Sequence, residues 1–184
     1  IAGSYGKAGA ATLSAGAALR SGAGLVTVHT PSSAVLAIQA ALPEAMVSPD
    51  SGTGNVTALP DLKPYNAIGV GPGLGTDPDT ASILRDLLKN ISVPLVLDAD
   101  ALNIIAQKRE WLDLLPPQTV LTPHPGEFRR LTGTTSTDFR LMQEQREFAV
   151  RYRCIVVLKG AHTSVALPDG TLFFNSTGNP GMAT

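Results

Sequence analysis

Short apolar runs, each closed by a polar or glycine- and proline-rich cluster and separated from the next by a helical pattern, constrain this chain most tightly. They are Leu25-Val26-Thr27-Val28, Asn66-Ala67-Ile68-Gly69-Val70, Pro94-Leu95-Val96-Leu97, Thr119-Val120-Leu121 and Ile155-Val156-Val157-Leu158. None alternates cleanly between apolar and polar residues, as a strand with one wet face would. Such runs interleaved with helices predict a mostly parallel sheet buried on both faces, hence an α/β fold, read here as a single domain over residues 1–184. The intervening segments carry helix signals. Residues 9–21 have apolar positions at Leu13, Ala17 and Leu19; Ser32 or Ser33 is placed to cap a helix through Val35, Leu36 and Ile38. Asp77 suits an N-cap and Pro78 a first helical residue, ahead of apolar Ile83, Leu84, Leu87 and Leu88. Val165 to Leu167 and Thr171 to Phe174, around Pro168-Asp169-Gly170, predict a hairpin.

Composition narrows the function classes. The net charge is −1 and no run of Lys or Arg forms a stripe, which argues against nucleic acid as a partner. No apolar stretch reaches the ~18 to 20 residues of a membrane span, and the first residues shown carry no basic region followed by a hydrophobic core. The single cysteine, Cys154, lies inside an apolar run, so a disulfide framework is excluded, the thiol is expected in the core, and a cytoplasmic setting is expected. Ile1-Ala2-Gly3-Ser4 reads as the end of a strand entering a loop and Gly178 to Thr184 as an unfinished loop, so both ends are expected to be cut.

The polar clusters follow the apolar runs, where α/β sheets bind ligands. Gly71-Pro72-Gly73-Leu74-Gly75 permits close backbone approach to a ligand or simply makes a tight strand-to-helix turn; it is neither a dinucleotide fingerprint nor a Walker A loop. In Asp98-Ala99-Asp100-Ala101-Leu102-Asn103, one aspartate is expected to cap the next helix and the other to face the cleft. Thr122-Pro123-His124-Pro125-Gly126-Glu127 holds a histidine between two prolines, an arrangement with little packing purpose that points to ligand contact; Glu127 is either part of that site or a carboxylate favoured at a helix start. Lys159-Gly160-Ala161-His162-Thr163 suits phosphate or ribose contacts, and Asn175-Ser176-Thr177 supplies hydroxyls and amides. His29, His124, His162 and Cys154 lack the spacing of a zinc site. These residues support an enzyme handling a phosphorylated ligand, without naming the reaction.

Taken in order, Gly9-Ala10-Ala11, Val70 to Gly75, Leu97 to Asn103, Leu121 to Glu127 and Val157 to Gly160 resemble the NAD(P)H-hydrate dehydratase family of the ribokinase-like superfamily, across essentially the whole chain. The resemblance implies a three-layer α/β/α fold with a mostly parallel central sheet, incomplete at both ends here. It also implies repair of the S-form of hydrated NADH or NADPH by phosphorylation of the ring hydroxyl and loss of phosphate, with ADP or ATP as donor and Mg²⁺. Carried over, Ala10, Gly73 and His124 contact the hydrated dinucleotide. Lys159, Gly160, Ala161, His162 and Thr163 contact the phosphoryl donor, and Asp98, Asn103, Glu127 and Asn175 support the site. Glu127, three residues after His124, resembles the superfamily's Asn-x-x-Glu signature, an indirect link to the metal, with His in place of Asn. The tail resembles the lead-in to a Gly-Gly-Ser-Gly-Asp loop, so the catalytic aspartate is expected beyond Thr184. Relatives imply a homo-oligomer, often a tetramer, and a fused or separate epimerase. The rivals are a ribokinase-like kinase for a sugar or vitamin precursor and a catalytically dead nucleotide-binding module.

Overall fold

A computed structural model of the chain describes residues 1–135 and 138–177. The chain divides into two compact units, Ile1–Val93 and Pro94–Thr184.

In the first unit, β1 (Thr27–Pro31) and β2 (Met46–Asp50) pair in parallel, joined by a 3-10 turn (Ser32–Ala34) and α2 (Val35–Ala41). Helix α1 (Ala8–Arg20) precedes them; β3 (Ile68–Val70) and α3 (Pro78–Asn90) follow. The first residues are in no strand, though they bond to neighbouring segments through the backbone: Ile1 N donates to the Gly69 carbonyl at 2.7 Å, Gly71 N to Ile1 O at 3.2 Å and Ala2 N to His29 O at 3.1 Å. The small face of α1, Ala11, Ala15 and Gly16, is buried, and its alanines join Val28, Ile38 and Leu42 in one core. Leu13, expected on the apolar face, is 75% exposed. Short side chains let the helix lie close to its neighbours, and that selects the alanine face over the leucine.

Two expected caps are absent. Neither Ser32 nor Ser33 caps α2; Ser32 Oγ instead donates to the Gly52 carbonyl at 3.2 Å. Asp77 occupies the N-cap of α3 with extended backbone, but its side chain makes no capping bond. Strand β2, carrying Pro49 within it, ends in a buried carboxylate. Burial alone would raise the Asp50 pKa; hydrogen bonds from Thr57 Oγ1 and from the Gly52, Thr57 and Ala58 amides outweigh it and hold the carboxyl below its ordinary value. Buried His29 packs beside it, 3.0 Å from the Ala58 carbonyl and 3.1 Å from Ser48 Oγ, a structural histidine.

The second unit contains strands in the order β4 (Leu95–Leu97), β5 (Val120–Leu121), β6 (Ile155–Leu158), β7 (Thr163–Ala166) and β8 (Leu172–Asn175). The first three are parallel and the last two form the expected antiparallel hairpin. Gly170 closes its turn at φ +84°, a conformation that suits glycine. Helices α4 (Asp100–Gln107), α5 (Pro125–Thr132) and α6 (Asp138–Tyr152) connect the strands. Burial on both faces is not met throughout: Val96 of β4 is 37% exposed between buried Leu95 and Leu97. Gln145 of α6 is fully buried and satisfied, donating to Val156 O and Ser164 O and accepting from Ser164 Oγ at 2.6 Å, so it ties α6 to β6 and β7.

Cys154 is buried in this core, as expected, and desolvation pushes its thiol up to about 12. The sign of the linkage follows. Unfolded chain ionises this thiol near pH ~9 while the folded chain keeps it protonated, so its contribution is complete below ~9 and is lost as pH rises from there towards ~12. The denaturant midpoint of the wild type is expected to fall in that window more steeply than that of Cys154→Ala. Equal slopes for the two proteins refute it.

Candidate active site

The ends of the parallel strands in the second unit bring three expected clusters together. Asp98 follows β4, Thr122 to His124 follow β5, and Lys159 follows β6. The Lys159 Nζ donates to Asp98 Oδ1 at 2.7 Å, across a separation of 61 residues. The Lys159 amide donates to Pro123 O at 2.8 Å, and Thr122 N to Leu97 O at 3.1 Å. Each loop is thus fastened to its neighbour by backbone bonds, and the Lys159–Asp98 ion pair links the ends of β4 and β6 across β5. Both partners remain partly open to solvent, with side chains 43% and 32% exposed.

Neither aspartate caps α4. Ala99 holds the N-cap position at φ 48°, with no side-chain bond. Asp98 is drawn to Lys159 instead. Asp100 lies in the helix's first turn and accepts from Asn103 Nδ2 at 3.3 Å.

The prolines around His124 have a local purpose that the sequence reading missed. His124 is the N-cap of α5 and Pro125 its first residue. The His124 Nδ1 accepts from Gly126 N at 3.0 Å and Glu127 N at 3.4 Å, while Glu127 Oε2 accepts from His124 N at 2.8 Å. This is a capping box with histidine in the place normally held by Ser or Thr. An accepting Nδ1 assigns the proton to Nε2, which faces Glu127 Oε1 at 3.5 Å. Glu127 is buried and occupied by this cap, so it is the helix-start carboxylate. The imidazole is still 51% exposed and can meet a ligand.

Gly160, Ala161 and His162 form an exposed loop. Thr163 Oγ1 closes it, donating to Gly160 O at 3.2 Å, and Thr163 pairs in register with Asn175 of β8. Asn175 Oδ1 accepts from Thr177 N at 2.9 Å and Thr177 Oγ1 at 2.6 Å. Residues Gly178 to Thr184, part of the expected lead-in to the glycine loop, lie outside the described residues.

In the first unit, Gly73 and Ala10 are brought together. Gly73 has φ +64°, and a β-carbon there would lie 2.9 Å from Ala10 Cβ and 3.0 Å from Lys7 O. Ser4 Oγ donates to the Gly73 carbonyl at 2.8 Å. The glycine-rich turn is therefore seated directly on the start of α1. That contact joins two segments more than sixty residues apart, both of which the resemblance assigns to the dinucleotide.

Comparison with known proteins fits this arrangement. The family model for NAD(P)H-hydrate dehydratase matches residues 1–184. The chain belongs to that family. It is 36% identical over 187 residues to the ADP-dependent (S)-NAD(P)H-hydrate dehydratase of Bacillus subtilis, covering all of this chain and 64% of that protein. It is 40% identical over 196 residues to the bifunctional NAD(P)H-hydrate repair enzyme of Moorella thermoacetica, of which it covers 37%. A crystal structure of the Bacillus subtilis dehydratase co-crystallized with ATP and Mg²⁺ matches with TM-score 0.81 at 32% identity, over all of this chain and 65% of that one. A ribokinase-like superfamily protein from Enterococcus faecalis matches with TM-score 0.82 at 31% identity, over all of this chain and 64% of that one. The ribokinase-like α/β fold with a mostly parallel sheet is thus shown for this member of the dehydratase family. The chain spans between about a third and two thirds of these relatives' own length.

Two further features bear on ligands. Among the described residues no group of three or more His, Cys, Asp or Glu is placed to hold a metal ion. Glu127 Oε2 is taken up by the α5 cap, while its Oε1 lies 3.5 Å from His124 Nε2. Among the described residues no helix is long and apolar enough to cross a membrane.

Proposed function

We propose that the protein containing this chain dehydrates the S-form of hydrated NADH or NADPH, with ADP or ATP as phosphoryl donor. The nicotinamide-ring hydroxyl oxygen attacks the donor's terminal phosphorus, and the shortened nucleotide leaves. The ring C–O bond then breaks, inorganic phosphate departs with the electron pair, and loss of a proton from the adjacent carbon restores the double bond. The observation that carries this reading is the Asp98–Lys159 pair beside His124 at three parallel strand ends, in a chain of this family. Lys159 offers a fixed positive charge to phosphoryl oxygens, and phosphoryl transfer depends above all on such positioning and neutralisation. Gly160 to Thr163 supply an open loop for the donor, while Ala10 and Gly73 supply a close backbone surface for the dinucleotide. Asn103 and Asn175 order the segments beside them. Mg²⁺ enters with the nucleotide's phosphates and water, as this ion commonly does, and no step is assigned to a protein-held metal. The proposal includes one catalytic domain, a homo-oligomer, a cytoplasmic setting and an epimerase activity, fused or separate.

The test incubates the full-length protein with hydrated NADH, Mg²⁺ and ADP or ATP, and follows recovery of absorbance at the reduced-nicotinamide band together with released phosphate. Recovery with either nucleotide supports the reading. No recovery with both refutes it, and a stable phosphorylated product from a sugar or vitamin precursor would favour the kinase.

The capping box refines the role of His124. Asparagine is among the best N-caps, so His124→Asn is expected to keep α5 while removing the imidazole; His124→Ala loses both, at about 1 kcal/mol of stability. Both variants are expected to raise the dinucleotide Kd by about tenfold, with the thermal midpoint falling only in the alanine variant. An unchanged Kd in His124→Asn would leave His124 a cap alone.

A further inference from the structure

Arg130 has no part in the reading above, yet it is held in place. It lies on α5, exposed, and Asn103 Oδ1 on α4 accepts from its Nε at 3.2 Å and its Nη2 at 2.9 Å. Asn103 is itself braced, donating from Nδ2 to Asp100 Oδ1 at 3.3 Å. One edge of the guanidinium is thus anchored, which leaves the Nη1 donors on the other side. Their position is marked by Gly126: a β-carbon there would meet the His124 ring at 2.8 Å and Arg130 Nη1 at 3.7 Å. Imidazole and guanidinium therefore flank the same glycine.

The anchor is chemically informative. Asn103 presents a neutral amide oxygen, so this contact orients the arginine without cancelling its charge. Lys159, by contrast, faces a carboxylate. An exposed arginine ordinarily samples many rotamers; fixing it through two donors while keeping its charge is preorganisation for an anion. The planar fork suits phosphate oxygens in particular.

We propose that Arg130 binds a phosphate oxygen of the dinucleotide substrate and that Asn103 is its positioning residue. This rests on the assignment of His124 to the dinucleotide. Nothing in it requires Arg130 to touch the reacting ring.

The test measures steady-state repair by the full-length protein, varying hydrated NADH at saturating ADP or ATP and then the reverse. Arg130→Ala is expected to raise the KM for the dinucleotide about tenfold, leaving kcat and the nucleotide KM within about twofold. Asn103→Ala is expected to show part of that rise. Arg130→Lys is expected not to rescue, because an ammonium cannot give Asn103 two donors and still present a third to the ligand in fixed geometry. The wild-type dinucleotide KM should also climb more steeply with salt than that of Arg130→Ala. An unchanged dinucleotide KM in a folded Arg130→Ala protein overturns the inference, as does a rise confined to the nucleotide KM. Should that variant fail to fold, Arg130→Gln keeps much of the stem and is judged by the same two KM values. Wild-type protein that repairs nothing refutes the functional reading instead. In that event, equal affinity of wild type and variant for NADH would overturn this inference too.

Discussion

Replacing Lys159 by methionine is expected to lower nucleotide-dependent repair by about 10²- to 10³-fold while leaving the fold almost as stable as before. The two halves of that expectation come from different magnitudes. The Lys159–Asp98 pair is short, at 2.7 Å, but both side chains are partly open to solvent. Pairs of that exposure contribute about 1 kcal/mol or less to folding, since water already solvates each charge and salt screens their attraction. The same ammonium beside a transferring phosphoryl group works where bound substrate has displaced water, and there one lost donor has a far larger effect. Stability and activity should therefore separate. Asp98→Asn keeps the shape but releases the lysine, so it is expected to raise the nucleotide KM by less than Lys159→Met lowers turnover. In the Lys159→Met background the same change should add almost nothing, because the aspartate acts through the lysine. Additive losses in that double-mutant cycle would show Asp98 working independently. A thermal midpoint that collapsed in Lys159→Met would mark the pair as structural.

What the sequence made legible, and what it did not, divides along the reach of the physics involved. The apolar runs at Leu95 to Leu97 and Ile155 to Leu158 announced parallel strands because burial is written into the residues themselves. The hairpin around Asp169-Gly170 was legible for a similar reason, since its turn chemistry is local. Caps were read less well. Ser32, Asp77, Asp98 and Asp100 are all good capping types, yet none caps its helix. Each position offers an alternative partner or geometry that composition cannot weigh: Asp98 is decided by a lysine 61 residues away. The converse error occurred at His124, where an uncommon capping residue concealed a complete capping box. The spacing to Glu127 was the available signal; it matches the Ser/Thr-x-x-Glu pattern in everything except the first residue. Arg130 could not have been found from its neighbours in sequence, because it is singled out by Asn103 on another helix. Among the described elements, β2, interrupted by Pro49, the 3-10 turn Arg109–Leu114 and α6, whose buried stripe includes the polar Gln145, went unread.

Gly73→Ala is expected to destabilise the first unit by roughly 2 to 5 kcal/mol, about 1 to 2 from forcing an L-residue into left-handed backbone and the rest from overlap. The overlap is specific: the new methyl would sit 2.9 Å from Ala10 Cβ, 3.0 Å from Lys7 O and 3.1 Å from Lys7 Cβ. Gly24→Ala is the proper control. Gly24 lacks positive φ and has open space where a β-carbon would go, so that substitution should stay within about 0.5 kcal/mol of neutral. Denaturant midpoints of the two variants test this directly, and equal midpoints would mean that the turn relaxes without penalty. The partner can then be trimmed. Adding Ala10→Gly to Gly73→Ala removes the closest contact but leaves the strained φ and the Lys7 carbonyl, so it should recover only part of the loss, against its own cost of about 1 kcal/mol in a helix. A favourable coupling between the two substitutions would establish that Ala10 and Gly73 form one surface. Dinucleotide affinity should follow the same coupling, since a ligand meeting both residues reads their separation rather than either side chain alone.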